Sequence, residues 1–195
     1  MARIADPNRR SDILAAARAT FLDRGFLQTR MADIAQRAGV AAGTIYLYFE
    51  SKEAIVLELA EQHFAGLARV TLPALQQPNP ADAIAEAVHA ALAYVADERD
   101  LLRLIRLDQG LSSLAAPRAA RDGFHRALAA QLAGWIDRGV LPAYEPLVLA
   151  ELISALIERA AELCLLYEQG DLATYESTLI SLLRTMLLGE RAPTA

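Results

Sequence analysis

The chain has one cysteine, Cys164, and one lysine, Lys52, among 195 residues. A lone thiol excludes an intrachain disulfide framework. His63, His89 and His125 lie far apart, so no Cys/His spacing suits a zinc site. No apolar run approaches the roughly 18 residues of a membrane span, and no charged-then-apolar leader opens the chain. These absences predict a soluble, cytoplasmic protein with no membrane contact, no metal and no cofactor. Runs of β-branched residues are scarce too, which argues against a sheet.

Alanine, leucine and arginine dominate what is present, and the reading is all-α. Apolar residues make up 54% of the chain and charged ones 22%, enough to bury a sizeable core and too little charge for disorder. The net charge of −5 argues against a general polyanion binder. It is unevenly spread, however. Residues 1–52 hold eight basic and five acidic side chains, while the remainder holds eleven and nineteen. A basic head on an acidic body suits a small nucleic-acid reader joined to a second module, although chance could produce the same imbalance.

"RRSDILAAARATFLDRG" sets Ile13, Ala17 and Phe21 on one stripe and stops at Gly25. "TRMADIAQRAG" starts at Thr29, a good N-cap, and stops at Gly39; "AAGTIYLYF" is a third, short helix. Ser51 then opens a longer helix towards Val70, which "TLPALQQPNP" must interrupt. The domain boundary is placed there: 1–70 as the head, 71–195 as the body. Five helical segments follow, at about 81–97, 100–109, 117–138, 144–169 and 171–188. Gly110 is among the residues that separate them, and the tail from Glu190 is expected to be mobile.

Within the head, two short helices separated by "AGV" form a helix-turn-helix pattern at about residues 30–49. Ile34 and Ala35 face inward from the first; Val40, Ile45 and Phe49 anchor the second. The opposite face offers Gly43, Thr44 and Leu47, flanked by Tyr46 and Tyr48. Small residues at a helix start permit close approach to a major groove. Thr29 and Tyr46 carry hydroxyls suited to phosphate. Lys52 sits in the first turn of the next helix, a poor place for a cation on macrodipole grounds. Its position suggests an external anionic partner; the plain alternative is a solvated lysine paired with Glu50 or Glu53.

"GFLQTRMADIAQRAGVAAGTIYLYFESKEAI" resembles the DNA-binding region of the tetracycline-repressor (TetR) family. The resemblance rests on Gly25-Phe26, Thr29, Asp33-Ile34-Ala35, Ala38-Gly39-Val40, Gly43-Thr44, Tyr46, Phe49 and Ser51-Lys52-Glu53, and covers roughly residues 8–68. It implies a homodimeric repressor that binds a palindromic double-stranded DNA operator and is released by a small-molecule effector. It also implies DNA contacts at Thr29, Gly43, Thr44, Tyr46, Tyr48 and Lys52; Arg30, Ala42 and Leu47 complete the candidate set, Leu47 through apolar contact such as to a thymine methyl. Ala41 stands where the family often has serine, so this recognition helix lacks a side-chain cap, a deficit of about 1 kcal/mol. Ala42 stands where a basic residue is common, and Arg30 restores positive charge nearby.

In the body, segment 144–169 has one narrow polar stripe, Glu151, Ser154, Glu158 and Glu162, and is apolar elsewhere from Leu147 to Leu166. Segment 171–188 has a similarly broad apolar face. Helices so apolar around their circumference need partners on several sides. The expectation is a homodimer through these two segments, with a monomer whose own helices cover both faces as the alternative. The candidate effector site is Asp108, Arg121, Phe124, His125, Leu128, Gln131, Trp135 and Glu158: apolar walls with a few convergent polar groups, suited to a hydrophobic or amphipathic ligand. Internal pairing of the same polar groups is the competing reading. An all-α enzyme or carrier with a vestigial head is the alternative function, but the chain shows no nucleophile–base signature, metal spacing or phosphate loop.

Overall fold

The computed structural model describes residues 7–108 and 116–190. Gly110 and the tail beyond Glu190 lie outside the described residues. Every regular element among the described residues is a helix. In chain order these are α1 (Pro7–Arg24), α2 (Met31–Arg37), α3 (Ala42–Ile45), α4 (Lys52–Ala74), α5 (Pro80–Asp97), α6 (Arg99–Leu107), α7 (Ala116–Asp137), α8 (Pro146–Leu165) and α9 (Leu172–Leu188). The all-α reading holds.

Several helix starts follow directly from capping chemistry. Ser51 Oγ accepts the amide of Ala54 at 3.1 Å, as expected for the residue that opens α4. Asn79 caps α5 with Pro80 in its first turn, Glu145 caps α8 with Pro146 likewise, and Asp171 caps α9 through the amide of Thr174 at 2.9 Å. Among the boundaries that differ from the sequence reading, three lie at α2, α3 and α4. Arg30, not Thr29, is the cap residue of α2; arginine has no acceptor, so the help comes from Asp33, whose Oδ2 accepts the Arg30 amide at 2.9 Å. α3 is one turn long and ends at Ile45, with residues 46–48 in a turn. α4 continues through Pro73 to Ala74, so the helix stops one residue after the proline instead of before it.

Cα packing divides the chain into two compact units, at His63/Phe64 rather than at the proline-rich stretch. The first comprises residues 1–63 and 100–120, the second 64–99 and 121–195. In the first unit, Ile13, Ala17, Phe21, Ile34, Ala35, Ile45 and Phe49 are all buried, as the stripes anticipated. Leu101 and Leu104 of α6 complete that core. At Gly39 the chain turns between α2 and α3 with φ +66°, a left-handed conformation that a side chain resists. In the second unit α5, α8 and α9 pack on one another. Arg184 of α9 donates two hydrogen bonds to the carbonyl of Ala81, at 3.0 and 2.8 Å.

Candidate nucleic-acid interface and effector site

The outward face of the head is built on α3. Ile45 and Phe49 are buried and hold the segment down. Ala42, Gly43, Tyr46 and Leu47 are exposed, Tyr46 to 58% and Leu47 to 70%. Thr44 and Tyr48 are half-buried at the edge. Gly43 contrasts with Gly39. Its φ is not left-handed, and a Cβ built there would meet nothing within 4 Å. Neither backbone strain nor internal crowding calls for glycine at this position, and a glycine within a helix costs about 0.5–1 kcal/mol relative to alanine. The space it leaves open is on the outside.

Two of the nine DNA-contact candidates turn inward. Thr29 is buried, and its hydroxyl donates to the carbonyl of Gly25 at 2.8 Å. Lys52 pairs with neither Glu50 nor Glu53. Its Nζ reaches the carbonyls of Phe26 at 2.7 Å, Thr29 at 3.1 Å and Leu27 at 3.5 Å, and lies 4.3 Å from the centroid of the Phe26 ring. An ammonium group has three protons to donate, and three carbonyls of the α1–α2 turn face this one. These carbonyl oxygens, not Glu50 or Glu53, are the partners Lys52 has in this structure, and with the Thr29 hydroxyl it braces the α1–α2 turn. Arg30 is exposed, and among the described residues its guanidinium makes no ion pair or hydrogen bond.

Other head arginines are committed internally. Arg10 binds Glu58 and donates to the Tyr48 carbonyl at 2.9 Å, fastening α1 to the residues after α3. Arg37 pairs with Asp23, and Arg24 with Asp33 at 3.1 Å. Asp108 also belongs to the head: its Oδ2 accepts the amide of Phe26 at 2.6 Å. The sequence reading placed Asp108 among the effector residues, with Leu101, Leu104 and Ile105 beside it. The structure packs those three leucine and isoleucine side chains into or against the core of the first unit.

The other seven effector candidates lie in the second unit. Phe124, Leu128 and Trp135 are buried along one face of α7, with Gln131 half-buried beside them. The Phe64 ring of α4 lies 6.1 Å from that of Phe124. His125 is 7% exposed, and its Nε2 makes no hydrogen bond; neither does Nε of Arg121, one turn earlier on α7. Burial lowers the His125 pKa below its ordinary value. Arg121 lowers it further, while Glu158, Glu151 and Asp122 pull it upward. The ring is therefore neutral at pH 7.

Ser154 was not singled out as a site residue. It is 6% exposed, and its Oγ is buried without a partner. The available signal was its place in the polar stripe of α8, between Glu151 and Glu158, both of which act on His125. That stripe faces inward at Ser154, while apolar residues of the same helix face out: Val148, Leu152 and Leu156 are exposed, Leu152 to 59%. On α9, Leu182 and Met186 are likewise exposed, Met186 to 57%. His89 is exposed, as expected, and meets Glu176 at 2.8 Å. Cys164 is half-buried, and desolvation raises its thiol pKa.

Residues 13–59 match the model of the bacterial regulatory proteins of the tetR family. The fatty acid metabolism regulator protein of Bacillus subtilis is 44% identical over 50 residues, 26% of each chain. The chain spans a quarter to about half the length of the curated regulators it matches. Solved structures agree over far more of the chain. A Syntrophomonas wolfei protein assigned to the TetR-family transcriptional regulators superposes with a TM-score of 0.80 at 20% identity, covering 96% of this chain and 98% of that one. The regulator FadR from Bacillus subtilis in complex with stearoyl-CoA gives 0.76 at 21% identity, covering 93% and 99%. At such identities these likenesses establish the fold of both units and no more. No described helix is long and apolar enough to cross a membrane.

Proposed function

We propose that this chain, whose residues 13–59 match the tetR family model, is a transcriptional repressor of the bacterial cytoplasm. It binds a palindromic operator as a homodimer and releases it when a hydrophobic or amphipathic effector enters the second unit. One observation carries the reading. α3 presents an exposed glycine that its own fold does not require, next to exposed Tyr46 and Leu47. A body close enough to use that space must come from outside, and a major groove admits a helix at this distance.

In this reading Gly43, Thr44 and Leu47 face bases, and Ala42 allows the same close approach. Arg30, Tyr46 and Tyr48 reach phosphates, while Thr29 and Lys52 keep the α1–α2 turn in place. Two heads about 34–36 Å apart would meet successive major grooves. The exposed apolar residues of α8 and α9, spaced four apart on each helix, favour a four-helix interface between two copies. The stearoyl-CoA bound by the Bacillus subtilis regulator supports an apolar effector, as do the buried Phe124, Leu128 and Trp135.

Gly43→Ala separates the fold from the function. Unfolding free energy should rise by up to about 1 kcal/mol, because alanine is the better helix former. Affinity for a duplex from the gene's own upstream region should fall at least tenfold in a gel-shift or anisotropy titration. Binding of wild type should also weaken steeply with salt. Equal duplex affinity in wild type, Gly43→Ala and Tyr46→Ala would refute the interface.

A further inference from the structure

Three buried polar atoms without partners lie on two helices of the second unit: Nε of Arg121 and Nε2 of His125 on α7, and Oγ of Ser154 on α8. Arg121 and His125 are four residues apart and share a helix face. Ser154 lies three residues after Glu151 and four before Glu158. Both carboxylates act on His125, so the face of α8 that carries Ser154 is turned towards it. Buried polar groups are almost always hydrogen-bonded, and leaving these three unmade costs free energy that a ligand oxygen reaching them would recover in part. We infer that Arg121, His125 and Ser154 form a seat for the oxygen of a neutral carbonyl group, a ketone, ester or thioester, at the polar end of an otherwise apolar effector. This deepens the effector reading proposed above and rests on it.

The donor chemistry selects an acceptor. Arg121 Nε can only donate, and the Ser154 hydroxyl can donate; a neutral imidazole can serve in either sense. The charge balance selects a neutral one. Glu158, Glu151 and Asp122 all act on His125 against the single guanidinium of Arg121, so a carboxylate ligand would add a fourth negative charge to this neighbourhood. The apolar remainder follows from Phe124, Leu128 and Trp135, buried on the same helix, and from Phe64 beside Phe124.

Trp135 is the chain's one tryptophan and lies on α7, so its fluorescence reports binding directly. Full-length protein is titrated with 2-alkanones of about seven to thirteen carbons, chosen to span a drug-sized pocket, and with matched alkanes and alkanoates. The best ketone should bind at least about tenfold tighter than either counterpart, since a seat built for an oxygen disfavours an analogue lacking it. In Ser154→Ala and Arg121→Met that preference should shrink to about threefold or less, with alkane affinity unchanged, which also shows that the variants are folded. The proposal is overturned if ketone and alkane bind alike, if the alkanoate binds best, if no ketone binds, or if the variants keep the full preference. Repeating the titrations with operator duplex separates the two readings. Ketones that bind through the seat without releasing DNA would refute the repressor reading alone. Release by compounds that show no carbonyl preference would refute the seat alone.

Discussion

The head and the second unit dispose of their polar and apolar groups in opposite ways. In the head, polar groups close on one another: Lys52 on the carbonyls of the α1–α2 turn, Thr29 on Gly25, Asp108 on the Phe26 amide and Arg10 on Glu58 and Tyr48. What remains for an outside partner is small or apolar, on α3, with Arg30 beside it. In the second unit, polar atoms of α7 and α8 are buried with hydrogen bonds unmade, and leucines of α8 and α9 face outward. A largely satisfied interior makes a rigid platform on which surface groups can be positioned. An unsatisfied interior offers hydrogen bonds to a ligand's atoms, and exposed apolar residues suit contact with another chain.

The comparison breaks most visibly at the outer face of α8 and α9. The double variant Leu152→Arg, Met186→Arg places two charges where two copies are expected to meet. Sedimentation should report a monomer, and operator affinity should fall by about a hundredfold or more, as one head alone replaces a linked pair. A variant that stays dimeric would move the interface elsewhere.

A smaller effect is expected in the head. Lys52→Met keeps the stem but removes the ammonium from its carbonyls, at an expected cost of about 2 kcal/mol for charged hydrogen bonds. The loss should appear as a lower denaturant midpoint, with duplex binding weakened in step with the disordered turn. If Lys52 contacted phosphate instead, stability would hold and only the salt dependence of binding would flatten.

The smallest effect sharpens the contrast inside the second unit. His125 has its folded-state pKa lowered, first by burial and then by Arg121, against the opposing pull of Glu158, Glu151 and Asp122. Below the unfolded value of about 6.5 the unfolded chain takes up a proton that the folded one resists, so stability falls as pH drops through that point. Melting temperatures at pH 7.5 and 5.5 should differ more for wild type than for His125→Gln. An equal difference in both would remove His125 from the buried cluster.

Much of the head was legible in the order of its residues. Ile13, Ala17, Phe21, Ile34, Ala35, Ile45 and Phe49 follow helical spacing and are all buried, because short helices with local turns leave few ways to bury such stripes. Lys52 could be flagged as out of place but not explained, since its carbonyl partners lie 23 to 26 residues upstream. The effector cluster was half legible. Arg121 and His125 share a periodic face and could be grouped, whereas Ser154 needs α8 to be turned so that this one member of its polar stripe is buried. Asp108 was assigned to the wrong neighbours, because α6 packs in the first unit and the sequence shows no such long-range choice.

Composition, helical periodicity, the capping residues and the 30–49 motif were enough to establish an all-helical chain with a helix-turn-helix at one end, since these depend on neighbours within a turn or two. Tertiary structure alone decided which polar atoms find partners: Lys52 satisfied at a distant turn, Arg121, His125 and Ser154 left without. Hydrogen bonds act over about three ångströms in space, whatever the separation along the chain.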